Sequence, residues 1–590
     1  MRSHYCGEIN EHHGDAEVTL CGWADTRRDH GGIIFVDLRD HTGKVQVVIN
    51  PEDTTAFAAA HQIRNEFCLK ISGRIRLRPE GMINEELATG KIEVVASSVE
   101  VLNPSAPLPF QLDETAGEEI RLKHRYLDLR REPMQHAIRT RNALTGAIRR
   151  HLDAKQFLDI ETPILTKATP EGARDYLVPS RVNHGAFYAL PQSPQIFKQL
   201  LMMSGMDRYY QIARCFRDED LRADRQPEFT QLDIEMAFVE REGVLQLAEG
   251  LIRDVFREVL DVELADPFPR MSYEEAMRRY GSDKPDLRNP LELKDIAEHV
   301  AHVDFKVFAG PANDPEGRVV VLRAPGGGSL TRKQIDGYGD YVANHGARGL
   351  AWIKVNDREA GADGLQSPIV KFLDQRALDG ILETSGAENG DLIFFGAGDA
   401  QTVSEFMGAL RNRLGRDLSL LDDTWQPLWV LEFPMFEWDD ASHRWFSMHH
   451  PFTAPVSDDA AEVAADPKAA LSKGYDMVLN GAEVGGGSIR IHSGRMQSAV
   501  FEMLGIGEEE AKEKFGFLLE ALRYGCPPHG GIAFGVDRLA ALMVGSESIR
   551  DVIPFPKTTS ASDMMTEAPS DVSLEQLREL SINVIKKPGT

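Results

Sequence analysis

The sequence predicts a multidomain α+β protein that begins with a small β-barrel of the OB type. A chain of 590 residues is too long for one hydrophobic core, so three or four domains are expected. The first 103 residues contain five short strand candidates separated by glycine-rich or charged turns, which suits a small barrel. Residues 209–238 contain two strand-like runs on either side of a charged loop, which predicts a long antiparallel hairpin.

The composition is that of an ordinary soluble globular protein, with 42% hydrophobic and 27% charged residues. The first residues lack the basic and apolar regions of a secretory signal, and no apolar run is long enough to span a membrane. We therefore expect a cytoplasmic protein that does not bind membranes. The five cysteines are scattered and include no C-x-x-C pair, which argues against a zinc site and a disulfide framework.

The net charge of −26 repels nucleic acids at long range, so a nucleic-acid partner would have to use local basic stripes. The fourth strand candidate of the barrel offers such a stripe. Its basic residues from Lys70 to Arg78 share one parity, and its apolar residues from Ile71 to Leu77 take the other. The five candidates are Val18–Trp23, Ile33–Leu38, Val45–Ile49, Phe67–Ser72 and Ile92–Ala96.

Three further residues of the barrel suit the binding of an oligonucleotide. The ring of Phe35 could stack on a base, Gln46 could read a base edge, and Arg28 adds positive charge nearby. From the residues alone, ordinary surface side chains are the alternative interpretation.

A proline-rich stretch without periodic pattern follows the barrel and predicts a linker. The basic segment Arg121–Arg131 is either a solvated helical face or a hinge that contacts a nucleic acid. From Met134 to Leu152 the apolar residues recur near helical spacing, and Phe157–Pro163 predicts a strand that ends at a proline.

The charged hairpin carries the densest set of candidate site residues. Along its second strand, Leu232 and Ile234 alternate with Asp233 and Glu235, so the acidic pair shares one face. Arg217, at the end of the first strand, could grip a phosphate, and the acidic groups could hold an ammonium or a metal-bridged phosphate. The alternative is a solvated hairpin whose charges neutralise one another.

Residues 288–425 interrupt this pattern and predict an inserted domain, in which we identify no chemistry. The segment Tyr475–His492 follows and contains Asp476 and Glu483, carboxylates that suit Mg²⁺. The segment Gly530–Gly545 then predicts a strand, a glycine turn and a helix. Arg538 falls in the first turn of that helix, where a cation opposes the helix dipole unless an anion is bound.

The string FRDED, followed by R-x-x-R-Q-P-E-F-T-Q-x-D-x-E, resembles motif 2 of the class II aminoacyl-tRNA synthetases. Its residues resemble the form of this motif in the bacterial-type aspartyl-tRNA synthetases. The helix and strand from Met134 resemble motif 1, which dimerises in the family, and Gly530–Gly545 resembles motif 3. The resemblance implies a mostly antiparallel catalytic sheet flanked by helices. The implied domains are an OB-fold anticodon-binding domain at 1–103, a hinge at 104–133, catalytic parts at 134–287 and 426–555, an insertion at 288–425 and an extension at 556–590.

The resemblance also implies roles for individual residues. The catalytic pair would be Arg217 and Arg538, and Mg²⁺ would bind Asp476 and Glu483. Aspartate would be bound by Glu171, Ser193, Gln195, Lys198, Asp233, His449 and Arg490. ATP would contact these two arginines together with Asp218, Glu219, Gln226, Glu483, Gly535, Val536 and Asp537. The anticodon would be read by Arg28, Phe35 and Gln46.

The implied reaction joins L-aspartate and ATP to aspartyl-adenylate and then transfers aspartate to tRNA(Asp), on a homodimeric enzyme. His30 and Gly81 are similar to the residues of family members that also charge tRNA(Asn), so we expect tRNA(Asn) as a second substrate. Plain loop residues are the alternative interpretation of both. Three alternatives stay open: an enzyme strictly specific for tRNA(Asp), a relative specific for asparagine or lysine, and a regulator that kept the fold without catalysis.

Overall fold

The computed structural model describes residues 1–113, 116–168 and 172–585. Its contacts divide the chain into two units, each described separately below. The first contains Met1–Ile138 with Pro554–Thr558 and Ser562–Ser570, and the second contains the remainder. Among the described residues, no helix combines the length and apolarity needed to cross a membrane.

The first unit contains a closed five-stranded barrel with the strand order β1-β2-β3-β5-β4, which confirms the predicted OB-type barrel. Its interior is filled by aliphatic side chains from all five strands and from one helix. The elements are β1 Glu17–His30, β2 Ile33–Asp40, β3 Gly43–Ile49, α1 Thr54–Gln62, β4 Cys68–Leu77 and β5 Ile92–Asn103.

Strand β4 shows the predicted alternation along most of its length. Ile71 and Ile75 are buried in the barrel, whereas Arg74 and Arg76 are exposed. The prediction is wrong for Leu77, whose side chain is 56% exposed. Because β4 ends at this residue, the barrel interior no longer covers the inward-facing position.

The basic segment after the linker folds into the helices α2 Glu118–Lys123 and α3 Arg125–Asp128. Asp128 is buried, and its carboxylate accepts hydrogen bonds from Arg121 at 2.9 Å, Arg125 at 2.5 Å and Arg131 at 3.1 Å. Burial raises the pKa of Asp128, but these arginines outweigh it and hold the pKa below its ordinary value. The arginines therefore form an internal ion-pair network, which neither sequence interpretation anticipated.

The second unit begins with most of helix α4 Glu132–Ala154 and contains the predicted charged hairpin. Strands β9 and β10 pair antiparallel from Arg208↔Met236 to Phe216↔Glu228, which confirms the hairpin. The predicted strand at Phe157–Pro163 is much shorter than expected, since only Leu158–Asp159 pairs. The elements of this part are β6 Leu158–Asp159, β7 Leu177–Pro179, β8 Phe187–Ala189, α5 Gln195–Met203, β9 Arg208–Phe216, β10 Glu228–Ala237, α6 Arg241–Leu260, β11 Arg270–Ser272 and α7 Tyr273–Tyr280.

Residues 293–417 form a separate five-stranded sheet with the strand order β12-β13-β16-β14-β15. Side chains of opposite parity on its strands build two apolar cores, one on each face, and helices cover both. The elements are β12 Leu293–Asp295, α8 Ala297–Val300, α9 Lys306–Ala312, β13 Gly317–Ala324, α10 Arg332–Ala343, β14 Ala351–Val355, β15 Leu365–Gln366, α11 Gln375–Ser385, β16 Leu392–Asp399 and α12 Ala400–Asp417.

The rest of the chain completes an eight-stranded sheet in the order β11-β17-β20-β21-β22-β10-β9-β6. Only the outer pairs, β11 with β17 and β6 with β9, are parallel, so the predicted mostly antiparallel sheet is confirmed. The remaining elements are β17 Pro427–Leu431, β18 Phe436–Asp439, β19 Arg444–Ser447, α13 Ala460–Ala465, β20 Gly474–Leu479, β21 Ala482–Ile489, α14 Gly494–Met503, α15 Glu508–Leu522, β22 His529–Gly535, α16 Val536–Met543 and α17 Leu574–Glu579.

The register of the three central strands brings distant segments into one row. Glu235 of β10 lies opposite Gly531 of β22, which in turn lies opposite Ser488 of β21. A Cβ atom on Gly531 would lie 2.1 Å from Oε2 of Glu235. A glycine is therefore required here for the buried carboxylate to lie across the central strand.

Candidate active site

A cavity of about 810 Å³ lies in the second unit, over the row of polar side chains on the central strands. Its walls come from α5, from the loop between β9 and β10, and from β20, β21 and the start of α16. The predicted site residues that line it are Ser193, Gln195, Lys198, Arg217, Glu219, Gln226, Asp233, His449, Asp476, Glu483, Arg490, Gly535, Asp537 and Arg538.

Three of the residues predicted to bind aspartate or ATP are not part of this lining. Glu171 lies outside the described residues. Asp218 is exposed in the loop after β9, and its backbone N–H donates to the carbonyl of Arg174. Val536 begins α16 with its side chain buried, so only its backbone could reach a ligand.

Four buried charged side chains form a cluster at the base of the cavity, which is called the floor here. Lys198, Asp233 and Arg490 line the cavity, and Glu235 contacts Lys198 and Arg490. Nζ of Lys198 lies 2.9 Å from Oδ1 of Asp233 and 3.4 Å from Oε2 of Glu235. Nε and Nη2 of Arg490 donate to the two oxygens of Glu235 at 2.9 and 3.2 Å. The two cations and two carboxylates balance in charge, which reduces the large cost of burying each of them.

Glu235 is the member of this floor that was not among the predicted site residues. Burial raises the pKa of the Glu235 carboxyl, but Arg490 and Lys198 outweigh that effect and hold the pKa below its ordinary value. The alternation of β10 did place Glu235 on the face of Asp233, so the signal was present. The sequence held no indication that Arg490, 255 residues away, would be its partner.

Four polar atoms of side chains that line the cavity are shielded from solvent and have no hydrogen-bond partner among the described residues. They are Nε2 of Gln195, Oδ2 of Asp233, Nδ1 of His449 and Nε2 of His450. A buried polar atom without a partner requires an explanation, and a bound ligand is one. An unpartnered acceptor and an unpartnered donor that line one cavity suit a small zwitterion such as an amino acid.

Two adjacent histidines line the cavity in different electrostatic surroundings. Nε2 of His449 lies 3.4 Å from Oδ1 of Asp476. Burial lowers the pKa of His449, but Asp476 and Glu483 raise it above the ordinary value. For His450, burial together with the charges of Arg490 and Lys198 lowers the pKa to about 3, so this ring is neutral. His450 was not predicted as a site residue.

Asp476 and Glu483 extend from neighbouring strands toward the same space above Gly486. A Cβ atom on Gly486 would lie 2.7 Å from Oδ1 of Asp476 and 3.4 Å from Oε1 of Glu483. Burial and the charge of Asp476 raise the pKa of Glu483. Among the described residues no group of three or more His, Cys, Asp or Glu could hold a metal ion. Two convergent carboxylates nevertheless fit Mg²⁺, which shares its coordination with substrate phosphates and waters.

Two arginines frame the other side of the cavity. The guanidinium of Arg217 stacks 4.9 Å above the ring of Phe229. Arg538 donates to the carbonyl oxygen of Glu483 at 2.5 Å, and its Nη2 lies 3.8 Å from Asp224. Both arginines line the cavity, and planar cations of this kind suit a flat ring and a chain of phosphates.

Asp537 lines the cavity, but both of its carboxylate oxygens are occupied by protein groups. Oδ1 accepts from Nη1 of Arg141 in α4, and Oδ2 accepts from the backbone N–H of Thr230 at 2.7 Å. Nη2 of Arg141 also donates to Oγ1 of Thr230 at 3.0 Å. Asp537 therefore joins α4, β10 and α16, and Arg141, which no sequence pattern indicated, completes this junction.

The predicted anticodon-binding residues of the first unit lie together on the outer face of the barrel. Arg28 pairs with Phe35 across β1 and β2, and its Nη2 lies 2.9 Å from Asp37. Gln46 lies opposite Asp37 on β3, and its Nε2 donates to Glu93 at 3.1 Å. An aromatic ring surrounded by an ordered polar network is an arrangement that binds single-stranded nucleic acid.

The two residues predicted to influence the choice of tRNA lie in the same unit, one at the end of a strand and one in a loop. His30 ends β1 and is exposed. Gly81 is also exposed and has a φ angle of +90°, with open space where a Cβ atom would lie. Any other L-residue at position 81 would be strained by its backbone rather than by its neighbours.

Two family descriptions match the chain. The family described as tRNA synthetases class II (D, K and N) matches residues 117–559. The OB-fold nucleic acid binding domain matches residues 18–102.

Solved structures with a similar fold include enzymes named for two amino acids. Asparaginyl-tRNA synthetase from Pyrococcus horikoshii, complexed with asparaginyl-adenylate, is 19% identical with a TM-score of 0.60, covering 94% of this chain and 98% of its own. Aspartyl-tRNA synthetase from Entamoeba histolytica is 18% identical with a TM-score of 0.56, covering 93% and 90%. A putative aspartyl-tRNA synthetase from Leishmania major Friedlin is 19% identical with a TM-score of 0.57, covering 92% of each chain. At these identities the likeness shows the fold alone.

Proposed function

The chain belongs to the class II tRNA synthetases, and from that premise we propose that it activates L-aspartate with ATP and transfers it to tRNA. The observation that carries the proposal is the buried floor of Lys198, Asp233, Glu235 and Arg490. It offers two cations, a carboxylate oxygen without a partner and a neutral histidine within one cavity.

The charges of the floor would distinguish among aspartate, asparagine and lysine, the amino acids that the letters D, N and K of the family description stand for. The ammonium of the substrate would pair with Asp233, and a side-chain carboxylate would meet the remaining N–H of Arg490 Nη1 and the ammonium of Lys198. A side-chain amide would bring no charge to these cations and would bury an NH₂ group against them. A lysine side chain would bring a third cation. The site therefore favours aspartate over asparagine, and asparagine over lysine.

The proposed reaction has two steps. The α-carboxylate of aspartate attacks the α-phosphorus of ATP in line, the bond to the β-phosphate oxygen breaks, and pyrophosphate leaves. A hydroxyl of the terminal ribose of tRNA then attacks the aspartyl carbonyl, and AMP leaves. Such chemistry depends on positioning and charge neutralisation more than on a protein nucleophile.

The residues of the chain divide this work. Arg217 and Arg538 would neutralise charge on the phosphates, with Glu219 and Gln226 holding ATP between them. Asp476 and Glu483 would hold Mg²⁺, which would supply positive charge to neutralise the phosphates of ATP when bound. Asp537 would act through its junction with Arg141 and Thr230 rather than through its own carboxylate.

The barrel would bind the anticodon through Arg28, Phe35 and Gln46, and we propose tRNA(Asp) and also tRNA(Asn) as substrates. His30 and Gly81 support the broader choice by resemblance. An enzyme of this kind requires a downstream amidotransferase, because aspartate on tRNA(Asn) must be converted to asparagine.

We also propose that the enzyme is a cytoplasmic homodimer. The segment that resembles motif 1 supports the dimer. It leaves three large aliphatic side chains 41–52% exposed, namely Leu158, Ile164 and Leu165.

The first test is pyrophosphate exchange with ATP in the presence of aspartate, asparagine or lysine. We expect exchange with aspartate only; exchange with asparagine alone would overturn the choice of amino acid. Charging of purified tRNA(Asp) and tRNA(Asn) with labelled aspartate, at one salt concentration, then tests the choice of tRNA. Charging of both tRNAs supports the broader specificity, and charging of tRNA(Asp) alone contradicts it. ATP binding without any charging would indicate a regulator.

A further inference from the structure

The hairpin formed by β18 and β19 rises from the rim of the cavity. Phe433 precedes it and Met448 and His449 follow it, and all three line the cavity. Glu437, within β18, lines the cavity as well. Both ends of the hairpin are therefore anchored beside the candidate active site.

The register of the hairpin separates its side chains onto two faces. Phe436 pairs with Ser447, and Trp438 with Trp445, on one face. Phe436 is buried in an apolar cluster of the catalytic part, and Trp445 packs against that cluster. The indole ring of Trp438 meets that of Trp445 edge-on at 5.2 Å. This face fixes the hairpin to the body of the second unit.

The other face carries Glu437 with Phe446 and Asp439 with Arg444. Because Glu437 lines the cavity, this is the face turned toward the cavity. Phe446 is 40% exposed, and the guanidinium of Arg444 lies 4.3 Å above its ring. One exposed aromatic residue is ordinary, but this one pairs with the cavity-lining Glu437 and lies beneath a planar cation.

We propose that Phe446 and Arg444 form a stacking platform for a base of the unpaired 3′ end of tRNA. The inference rests on the proposed function, because the ribose that accepts the amino acid lies at that end and must enter the cavity. Aromatic rings and arginines are the groups on which single-stranded bases stack.

The charge of the hairpin favours contact with bases over contact with phosphates. Arg444 is the only lysine or arginine between residues 436 and 447, whereas Glu437, Asp439 and Asp440 are acidic. Carboxylates repel the sugar-phosphate backbone, but the face of a base carries no net charge. We therefore expect the contribution of the platform to vary little with salt concentration.

The test compares Phe446→Ala and Phe446→Leu with the wild-type enzyme. Phe372→Ala is the matched control, because Phe372 is 47% exposed and carries Lys371 4.9 Å above its ring, but belongs to the inserted sheet region. Two rates are measured for each protein: aminoacylation over a range of tRNA concentrations, and aspartate-dependent pyrophosphate exchange without tRNA.

We expect Phe446→Ala and Phe446→Leu to raise the KM for tRNA by about 5- to 100-fold, the range of one lost base–aromatic contact. Phe446→Trp should restore the wild-type KM, and Arg444→Ser should raise it in the same direction. Exchange without tRNA should stay at the wild-type rate. Phe446→Leu keeps an apolar side chain, so its effect separates the loss of stacking from the loss of folding.

Three outcomes would overturn the platform. The first is normal tRNA charging by both Phe446 variants, and the second is an equal effect of Phe372→Ala. The third is a molar mass of the Phe446 variants, measured by light scattering, that differs from that of the wild-type protein. This result would assign the face of Phe446 to contact with a second copy of the chain. A wild-type protein without pyrophosphate exchange would instead overturn the proposed function, so the two failures are distinguishable.

Discussion

Two hydrogen bonds join the carboxylate of Glu235 to the guanidinium of Arg490, at 2.9 Å through Nε and 3.2 Å through Nη2. A third donor of Arg490, Nη1, is directed to Oγ of Ser488 at 2.7 Å. Nη2 also lies 3.4 Å from the carbonyl oxygen of Gly531. All three guanidinium nitrogens therefore donate to protein groups, and one N–H of Nη1 is left for a ligand. The orientation of the proposed aspartate partner depends on Glu235.

Glu235→Gln should weaken both folding and substrate binding. Removing one partner of a buried ion pair leaves Arg490 and Lys198 with an uncompensated charge, which costs about 3–5 kcal/mol. We expect a lower midpoint in urea unfolding and a higher KM for aspartate in pyrophosphate exchange.

The effect of Glu235→Gln should depend on pH in a defined direction. The folded protein lowers the pKa of Glu235, so its ionisation stabilises the fold above the ordinary glutamate pKa. This stabilisation is lost as the pH falls through the lowered value. The difference in the free energy of unfolding between the wild-type protein and Glu235→Gln should thus be largest at neutral pH and decrease in acid. A difference that grew toward acid would contradict this assignment.

Arg490→Leu should abolish aspartate-dependent pyrophosphate exchange. The substitution removes the cation that would meet the side-chain carboxylate and leaves Glu235 buried beside Lys198 alone. Circular dichroism and ATP binding identify a variant that has folded but lost amino-acid recognition. Near-normal exchange by Arg490→Leu would rule out this pocket assignment.

Arg141→Met and Asp537→Asn should lower kcat in pyrophosphate exchange, by about 100-fold if α16 and Arg538 shift by 1 Å. Each substitution breaks the junction between α4, β10 and α16. The matched control is Arg150→Met, because Arg150 pairs with Glu258 on the exposed side of the same helix α4.

The two variants of the junction should also behave alike when combined. In a double-mutant cycle their effects should be strongly non-additive, because both remove the same contact. Fully additive effects, or an equal loss of activity in Arg150→Met, would show that the junction does not position Arg538.

Gly486→Ala should raise the Mg²⁺ concentration needed for half-maximal exchange. Its Cβ atom would lie 2.7 Å from Oδ1 of Asp476, inside the space where the two carboxylates converge. Gly494→Ala is the control, since a Cβ atom there meets nothing within 4 Å. A Mg²⁺ titration of all three proteins gives the comparison, and an unchanged midpoint in Gly486→Ala would contradict the proposed metal site.

Local patterns in the sequence were sufficient to predict much of the architecture. Short strand-like runs between turns predicted the five barrel strands, and alternating side chains in strand-like runs on either side of a charged loop predicted the hairpin of β9 and β10; both are present. The motifs around Arg217 and Arg538 indicated residues that the fold brings to one cavity. Such predictions succeed because the period of a strand or helix is written in neighbouring residues, and because a charged motif with glycines marks a ligand-binding loop.

The partners of the charged groups were decided by the tertiary structure. Glu235 meets Arg490 across 255 residues, and Asp537 meets Arg141 across 396. Asp128 accepts hydrogen bonds from three arginines of a segment in which the sequence pattern showed only basic character. A strand pattern states which face a side chain takes, but the identity of its partner depends on how distant strands pair. The sequence by itself therefore determined the elements, the motifs and their chemistry, whereas chain crossings in three dimensions determined which charges neutralise one another.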